Sequence, residues 1–324
     1  MGAPIHLTDA VVRRLFTPEV AFESARRAFA ALGRGQVVLP PRLSTPIAPH
    51  DALHLSMPCY LNDAEGEVLA MKAVTLYPRN RARGLESVLG FITLYDAATG
   101  DPLAFIDAAT VTARRTAAGC ALASRYLARA DSTTLAVFGA GRQAEAHIEA
   151  LAAEFKLERV RVFSTDQASA GDLCSRLSAR IDLDLSAVGT PSKCLDGADI
   201  VCTTTNSATP VFAAESLAPG AHINAIGSHQ ATTAEFDPTL VPRALVFVDD
   251  LGEAKRGAGE LIQASEKCGW SWNNLAGELA DLVLERKPGR PSPDQTTIFK
   301  SVGLAVQDAT AAHAVYERAV AEPE

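Results

Sequence analysis

Leu135-Ala136-Val137-Phe138-Gly139-Ala140-Gly141-Arg142-Gln143-Ala144 decides how this chain is read. A short apolar run enters two glycines one residue apart. A helical pattern follows, with Ile148, Leu151, Ala152 and Phe155 at i, i+3, i+4 and i+7. Strand, G-x-G-x-x-A and helix in that order form the fingerprint of a dinucleotide-binding turn. The first glycine makes the turn, the second lets a pyrophosphate approach the backbone, and the alanine keeps helix and strand close. The opening of the helix adds free N–H groups and the positive end of its dipole. Gly139, Ala140, Gly141, Arg142 and Gln143 are therefore candidate cofactor contacts.

Working outward, apolar runs at Thr134–Phe138, 160–163, 200–203, 222–226 and 245–248 lack clean alternation, as parallel strands buried on both faces do. Helical patterns lie between several of them, which implies a doubly wound Rossmann-type parallel sheet. Upstream the punctuation differs. Runs at 53–57, 68–74 and 90–95 are separated by Asn62-Asp63, Pro78-Arg79-Asn80 and residues 96–100, the pattern of an antiparallel sheet. Thr17-Pro18-Glu19 signals a helix start, residues 110–129 read as a long helix, and a last helix spans about 303–321. The fold class expected is α/β: the Rossmann domain plus an α+β domain, with a boundary near 115–130.

The whole chain has 324 residues, 48% of them hydrophobic and 21% charged, with a net charge of −8. That suits two globular domains and argues against nucleic acid or an anionic membrane as partner, since phosphate binding needs basic patches. No run of about 18 apolar residues suggests a span, and Met1 to His6 lacks a signal-peptide pattern, so a cytoplasmic location is expected. Six scattered cysteines without a C-x-x-C pair read as reduced core thiols, and no metal site is expected.

The second Rossmann strand ends Phe163-Ser164-Thr165-Asp166. An NAD site commonly has an acidic residue at that strand end for the ribose 2′-OH. Here Ser164 stands there and Asp166 comes two residues late, so NADPH is favoured over NAD, unless Asp166 swings back to bind NAD. Thr204, Thr205 and Asn206 follow the third strand and would line the nicotinamide side or cap the strand end. Asp249, Asp250 and Glu260 read as a solvated loop or domain contact, His54 and His147 as structural, and Trp270 and Trp272 as packing residues.

Four stretches give the chain a wider resemblance: Met71-Lys72 through Gly84-Leu85-Glu86-Ser87; Thr112-Ala113-Arg114-Arg115-Thr116-Ala117-Ala118; the Gly139 turn; and Thr297-Ile298-Phe299-Lys300-Ser301-Val302-Gly303 through Asp308. They resemble the ornithine cyclodeaminase/mu-crystallin family over nearly the whole chain. The resemblance implies residues 1–118 plus 303–324 as a substrate-binding and dimerisation domain and 119–302 as the dinucleotide-binding domain, in a homodimer. It implies NADP or NAD as cofactor, with Ile226, Gly227 and Ser228 beside it, and Arg42, Lys72 and Arg115 holding a substrate carboxylate. Arg suits a carboxylate bidentately, and Lys72 lies in an apolar strand where an unpaired ammonium is costly. Structural ion pairs are the alternative for all three. Ser87 matches a substrate-side threonine of the cyclodeaminases. Asp308 is expected to cap a helix or meet a dimer partner.

One departure is informative. Where the cyclodeaminases carry Gly-Gly-Asp, this chain reads Ile226-Gly227-Ser228-His229, so His229 replaces their catalytic acid. An imidazole titrates near neutral pH but offers no fixed negative charge for an ammonium substrate. The leading expectation is an NAD(P)H-dependent oxidoreductase that reduces a cyclic ketimine carboxylate, Δ1-pyrroline-2-carboxylate or Δ1-piperideine-2-carboxylate. Lys72, Arg115 and His229 would be its catalytic residues. The alternatives are an ornithine or lysine cyclodeaminase with bound NAD, an alanine- or opine-type dehydrogenase, and a non-catalytic crystallin-like binding protein.

Overall fold

The structure is a computed structural model that describes residues 3–322; residues 1 and 2 of the leader reading, and 323 and 324 at the end of the expected first domain, lie outside the described residues. Two compact units emerge: the chain up to Arg115 together with residues from Leu304 onward, and Thr116–Gly303.

The first unit carries β1 (Ile5–Leu7), α1 (Asp9–Leu15), α2 (Pro18–Gly33), β2 (Val37–Val38), β3 (Leu43–Ile47), β4 (Ala52–Asp63), β5 (Gly66–Leu76), β6 (Val88–Tyr95) and β7 (Pro102–Asp107). The strands form one seven-stranded sheet in the order β1-β7-β6-β5-β4-β2, with β3 also on β4. Only the β1–β7 pairing is parallel. Thr17 caps α2 as its sequence announces, its hydroxyl accepting from Val20 N. Alternation in β5 sends Val68, Ala70, Lys72 and Val74 to the buried side. On β4, Leu55, Met57, Cys59 and Leu61 do the same.

The long helix α3 (Ala108–Leu127) leads out of this unit. In the second unit come β8 (Thr134–Phe138), α4 (Arg142–Glu154), β9 (Arg159–Phe163), α5 (Gln167–Ser178), β10 (Asp184–Ala187), α6 (Pro191–Leu195), β11 (Ile200–Thr203), β12 (His222–Ala225), β13 (Leu245–Val248), α7 (Leu251–Gly257), α8 (Gly259–Lys267), β14 (Gly277–Glu278), α9 (Leu279–Val283) and β15 (Thr297–Lys300). The chain ends in α10 (Ala305–Ala321), which belongs to the first unit and packs with α2 against β4, β5 and β6.

All pairings of the second sheet are parallel, in the order β10-β9-β8-β11-β12-β15-β13-β14. Every residue of β8, β11, β12 and β15 is buried, which accounts for their lack of alternation. Phe138, Phe212, Phe236, Val246, Leu261, Trp270 and Ile298 belong to its core. Chain order reverses between β8 and β11, the switch point at which such sheets open a crevice. Three strands of this second sheet escape a sequence reading. β10 is a half-polar edge, β14 is two residues long, and β15 is a short apolar run closed by a lysine.

All six cysteines are free thiols, five of them buried. Among the described residues no helix is long and apolar enough to cross a membrane, and no group of three or more His, Cys, Asp or Glu is arranged to hold a metal ion.

Candidate functional site

In the second unit, the turn after β8 is shaped by its neighbours. Phe138 O accepts from both Thr204 N and Thr204 Oγ1 at 2.9 Å. Gly139 has φ +111°, and a Cβ there would lie 2.8 Å from Thr204 O. Only glycine serves at that position. Gly141 differs: its φ is −92°, and a Cβ would meet nothing within 4 Å. The turn thus leaves open space where a side chain would stand. Gly141 is the N-cap of the 13-residue helix α4 and supplies no capping side chain to its opening turn. Ala144 is fully buried. An open cradle at a helix N-terminus fits a dinucleotide diphosphate.

Beyond β9, the Asp166 carboxylate is engaged as N-cap of α5, accepting from Ser169 N at 3.2 Å and Ser169 Oγ at 2.6 Å. These hydrogen bonds hold its pKa below the usual range. Ser164 Oγ accepts from Asp166 N, Ser164 O accepts from Gln167 Nε2, and Thr165 is exposed.

The loops after β11 and β12 meet on Glu235, a fully buried residue that sequence reasoning passed over. Its Oε1 accepts from Thr205 N at 2.6 Å and Thr205 Oγ1 at 2.7 Å. Its Oε2 accepts from Thr203 Oγ1 at 2.9 Å, Gly227 N at 2.6 Å and Ser228 N at 3.2 Å. Burial pushes this carboxyl's pKa up, against the pull of Lys300 and the donors. Glu260 Oε1 accepts from Glu235 N at 2.9 Å, and its Oε2 lies 3.1 Å from Lys300 Nζ as an ion pair. Lys300 Nζ donates to Ser228 O at 2.6 Å. His229 is exposed, with Nδ1 3.0 Å from Gly227 O. As donor to that carbonyl, Nδ1 carries the proton and Nε2 the lone pair of the neutral ring.

The solvated-loop reading of two acidic residues is corrected here. Asp249 and Glu260 are not solvated loop residues; both are fully buried. Asp249 Oδ2 accepts from Ser301 Oγ, Val302 N and Gly303 N, fixing the chain after β15. Asp250 caps α7 through Glu253 N.

In the first unit the cationic candidates meet. Strand alternation turns Lys72 inward and the period of α3 buries Arg115, leaving them 3% and 6% exposed. Both bind the same oxygen: Asp308 Oδ1 is 3.1 Å from Lys72 Nζ and 2.9 Å from Arg115 Nε. Arg115 Nη1 also donates to Gln307 Oε1 at 3.3 Å. Burial first, then the charges of Arg115 and Arg42 against that of Asp308, push the Lys72 ammonium down to about 8. Two buried cations thus bind one carboxylate, whose Oδ2 is buried without a hydrogen-bond partner, and Arg42 acts on Lys72 electrostatically. Asp308 is not the cap of its helix, whose N-cap is Leu304, but the counter-ion of the cluster. Ser87 precedes β6 in a loop tied by Tyr77 N to Ser87 O and by Asn80 Nδ2 to Glu86 O. Its Oγ is buried without a partner.

Sequence signals existed for some of the missed residues. Lys300 ends an apolar strand just as Lys72 interrupts one, and Asp308 closes the last matched stretch. Glu235 and Glu260 had none, since their partners are fixed by topology.

The family model described as ornithine cyclodeaminase/mu-crystallin matches residues 5–323. A Δ1-pyrroline-2-carboxylate reductase of Bacillus cereus is 32% identical over 310 residues, covering 95% of this chain and 94% of that protein. The solved Δ1-pyrroline-2-carboxylate reductase of Thermococcus litoralis, in complex with NADH and L-proline, superposes with a TM-score of 0.94 at 32% identity, over 98% of both chains. A solved archaeal alanine dehydrogenase, a dimer with bound NAD, superposes with a TM-score of 0.90 at 31% identity, over 98% of this chain and 96% of that one. With a model match over almost its full length and the cradle and cation cluster in place, the chain belongs to the ornithine cyclodeaminase/mu-crystallin family.

Proposed function

We propose that this protein is an NAD(P)H-dependent imine reductase that converts a cyclic ketimine carboxylate, Δ1-pyrroline-2-carboxylate or Δ1-piperideine-2-carboxylate, to the cyclic amino acid. The observation that carries this reading is the surplus of buried positive charge around Asp308. Burying a cation is costly unless an anion accompanies it. Lys72 and Arg115 share one carboxylate, so a second, from the substrate, would bring the pair to neutrality. Arg115 and Lys72 then bind and orient that carboxylate as catalytic residues, and Arg42 and the Ser87 hydroxyl complete the contact. Orientation is the main demand of such a reaction, because a protonated C=N carbon accepts hydride readily.

The Gly139–Gln143 turn would hold the diphosphate, with Thr204 and Thr205 and the stretch Ile226-Gly227-Ser228 shaping the far side of that site. When bound, the reduced nicotinamide supplies the hydride. His229 orients substrate or relays a proton through Nε2. NADPH is the favoured form, because the Asp166 carboxylate is committed to α5 and Ser164 and Thr165 present no repelling charge at the end of β9. The B. cereus and T. litoralis reductases support the choice of substrate class. The protein works as a homodimer, supported by the archaeal dimer and by Leu89, Phe91 and Phe105, exposed on the outer face of the first sheet.

The test is oxidation of NADPH and NADH with each cyclic imine. Turnover with NADPH ahead of NADH is expected, and no turnover of either imine removes the reading. A second reading, an alanine dehydrogenase, is favoured by the archaeal match. It predicts reductive amination of pyruvate by ammonia at rates above those with cyclic imines.

A further inference from the structure

We propose that Glu235 is a positioning residue that builds the nicotinamide side of the cofactor site, an inference that rests on the dinucleotide reading above. The sheet order sets the geometry. A diphosphate on the turn after β8 would sit at the switch point, with the adenosine half toward β9. The nicotinamide half then faces the loops that follow β11 and β12. Those two loops are joined by one buried carboxylate. Glu235 takes Thr205 N on one oxygen and Gly227 N and Ser228 N on the other, with the Thr203 and Thr205 hydroxyls besides.

The clasp is tight. A Cβ on Gly227 would overlap Thr205 O and stand 2.5 Å from Glu235 Oε1, so the loops touch backbone to backbone. From the other side Lys300 holds Ser228 O, and Glu260 bridges Lys300 and Glu235 N. His229 hangs from the same loop, its ring on Gly227 O. None of these bonds touches the Gly139 turn, where the diphosphate would bind. The carboxylate reaches that turn only through Thr204, which lies between its partners Thr203 and Thr205, so its direct hold is on the loops of the nicotinamide half.

Glu235→Gln preserves volume but aims an NH2 group at backbone N–H donors, which cannot accept it. The loops part while the turn after β8 keeps its geometry. The experiment is calorimetric binding of NADPH and NADH, compared with ADP-ribose and its 2′-phosphate, to wild type and Glu235→Gln, with KM and kcat in parallel. The expected result is dinucleotide binding weakened by about tenfold, the consequence of losing hydrogen bonds to a charged group, with unchanged binding of the nicotinamide-free halves. Equal weakening of both, or of neither, overturns the inference. A wild type that binds no dinucleotide overturns the cofactor reading and this inference with it. Should Glu235→Gln fail to fold, Glu260→Gln removes the brace on Glu235 N and Lys300. The same one-sided loss, smaller in size, is expected, and an equal loss in both ligands is fatal to the idea.

Discussion

Replacing Lys72 by methionine separates function from stability, because the two effects have opposite signs. The fold disfavours the Lys72 ammonium: its pKa falls from 10.5 to about 8 under burial and the neighbouring cations. A shift of that size corresponds to about 3 kcal/mol against the charged form. Methionine fills the same volume without a charge, and Asp308 keeps Arg115 at 2.9 Å. Lys72→Met should therefore leave the unfolding midpoint unchanged or raise it. Its loss to the reaction is one charge-assisted contact to the substrate carboxylate, about 1.5–3 kcal/mol, or a fall of about 10–150-fold in kcat/KM. The assay pairs thermal unfolding with steady-state NADPH oxidation on a cyclic imine. The wild-type pH profile adds an internal check. With Lys72 titrating near 8, kcat/KM should fall as the pH rises through that value, and the Met variant should lose this limb. A variant that unfolds several degrees earlier yet turns over normally would refute the argument, since Lys72 would then be a structural ion-pair partner of Asp308.

Three further outcomes are expected. Gly141→Val places a side chain in the open space of the turn at an allowed φ, so dinucleotide affinity should fall by about 100-fold or more with little change in the unfolding midpoint of the unliganded protein; retained binding would show that nothing lies over that turn. His147 is fully buried and burial pulls its pKa down to about 4, below the unfolded value near 6.5. Its stabilising contribution is thus complete above pH 6.5 and lost as pH falls toward 4. From pH 7 to pH 5, denaturant unfolding of His147→Leu should lose about 2 kcal/mol less than wild type, and identical losses would contradict the assignment. Phe91→Asp places a charge on the exposed apolar face of the first sheet, where Phe91 is 48% exposed. Light scattering should report a monomer in place of a dimer, and an unchanged mass would move the interface elsewhere.

The parts of this protein that can be read from its residues alone are those that local physics encodes. The β8–turn–α4 unit is legible because glycine conformations and helix periodicity are short-range properties. So are the alternating strands of the first unit, the Thr17 cap of α2 and the parallel strands with both faces buried. Lys72 was also visible, as a cation in an apolar strand, and Arg115 through the family resemblance. What those cations face depends on long-range packing. Asp308 lies 236 residues beyond Lys72 and reaches it because α10 packs on β5. Nothing in the neighbourhood of Glu235 announces that it collects donors from the ends of two strands, or that Glu260 and Lys300 stand behind it. Such meetings depend on strand order and on how helices return to a sheet. These are set by burial summed over a whole unit rather than by any window of sequence.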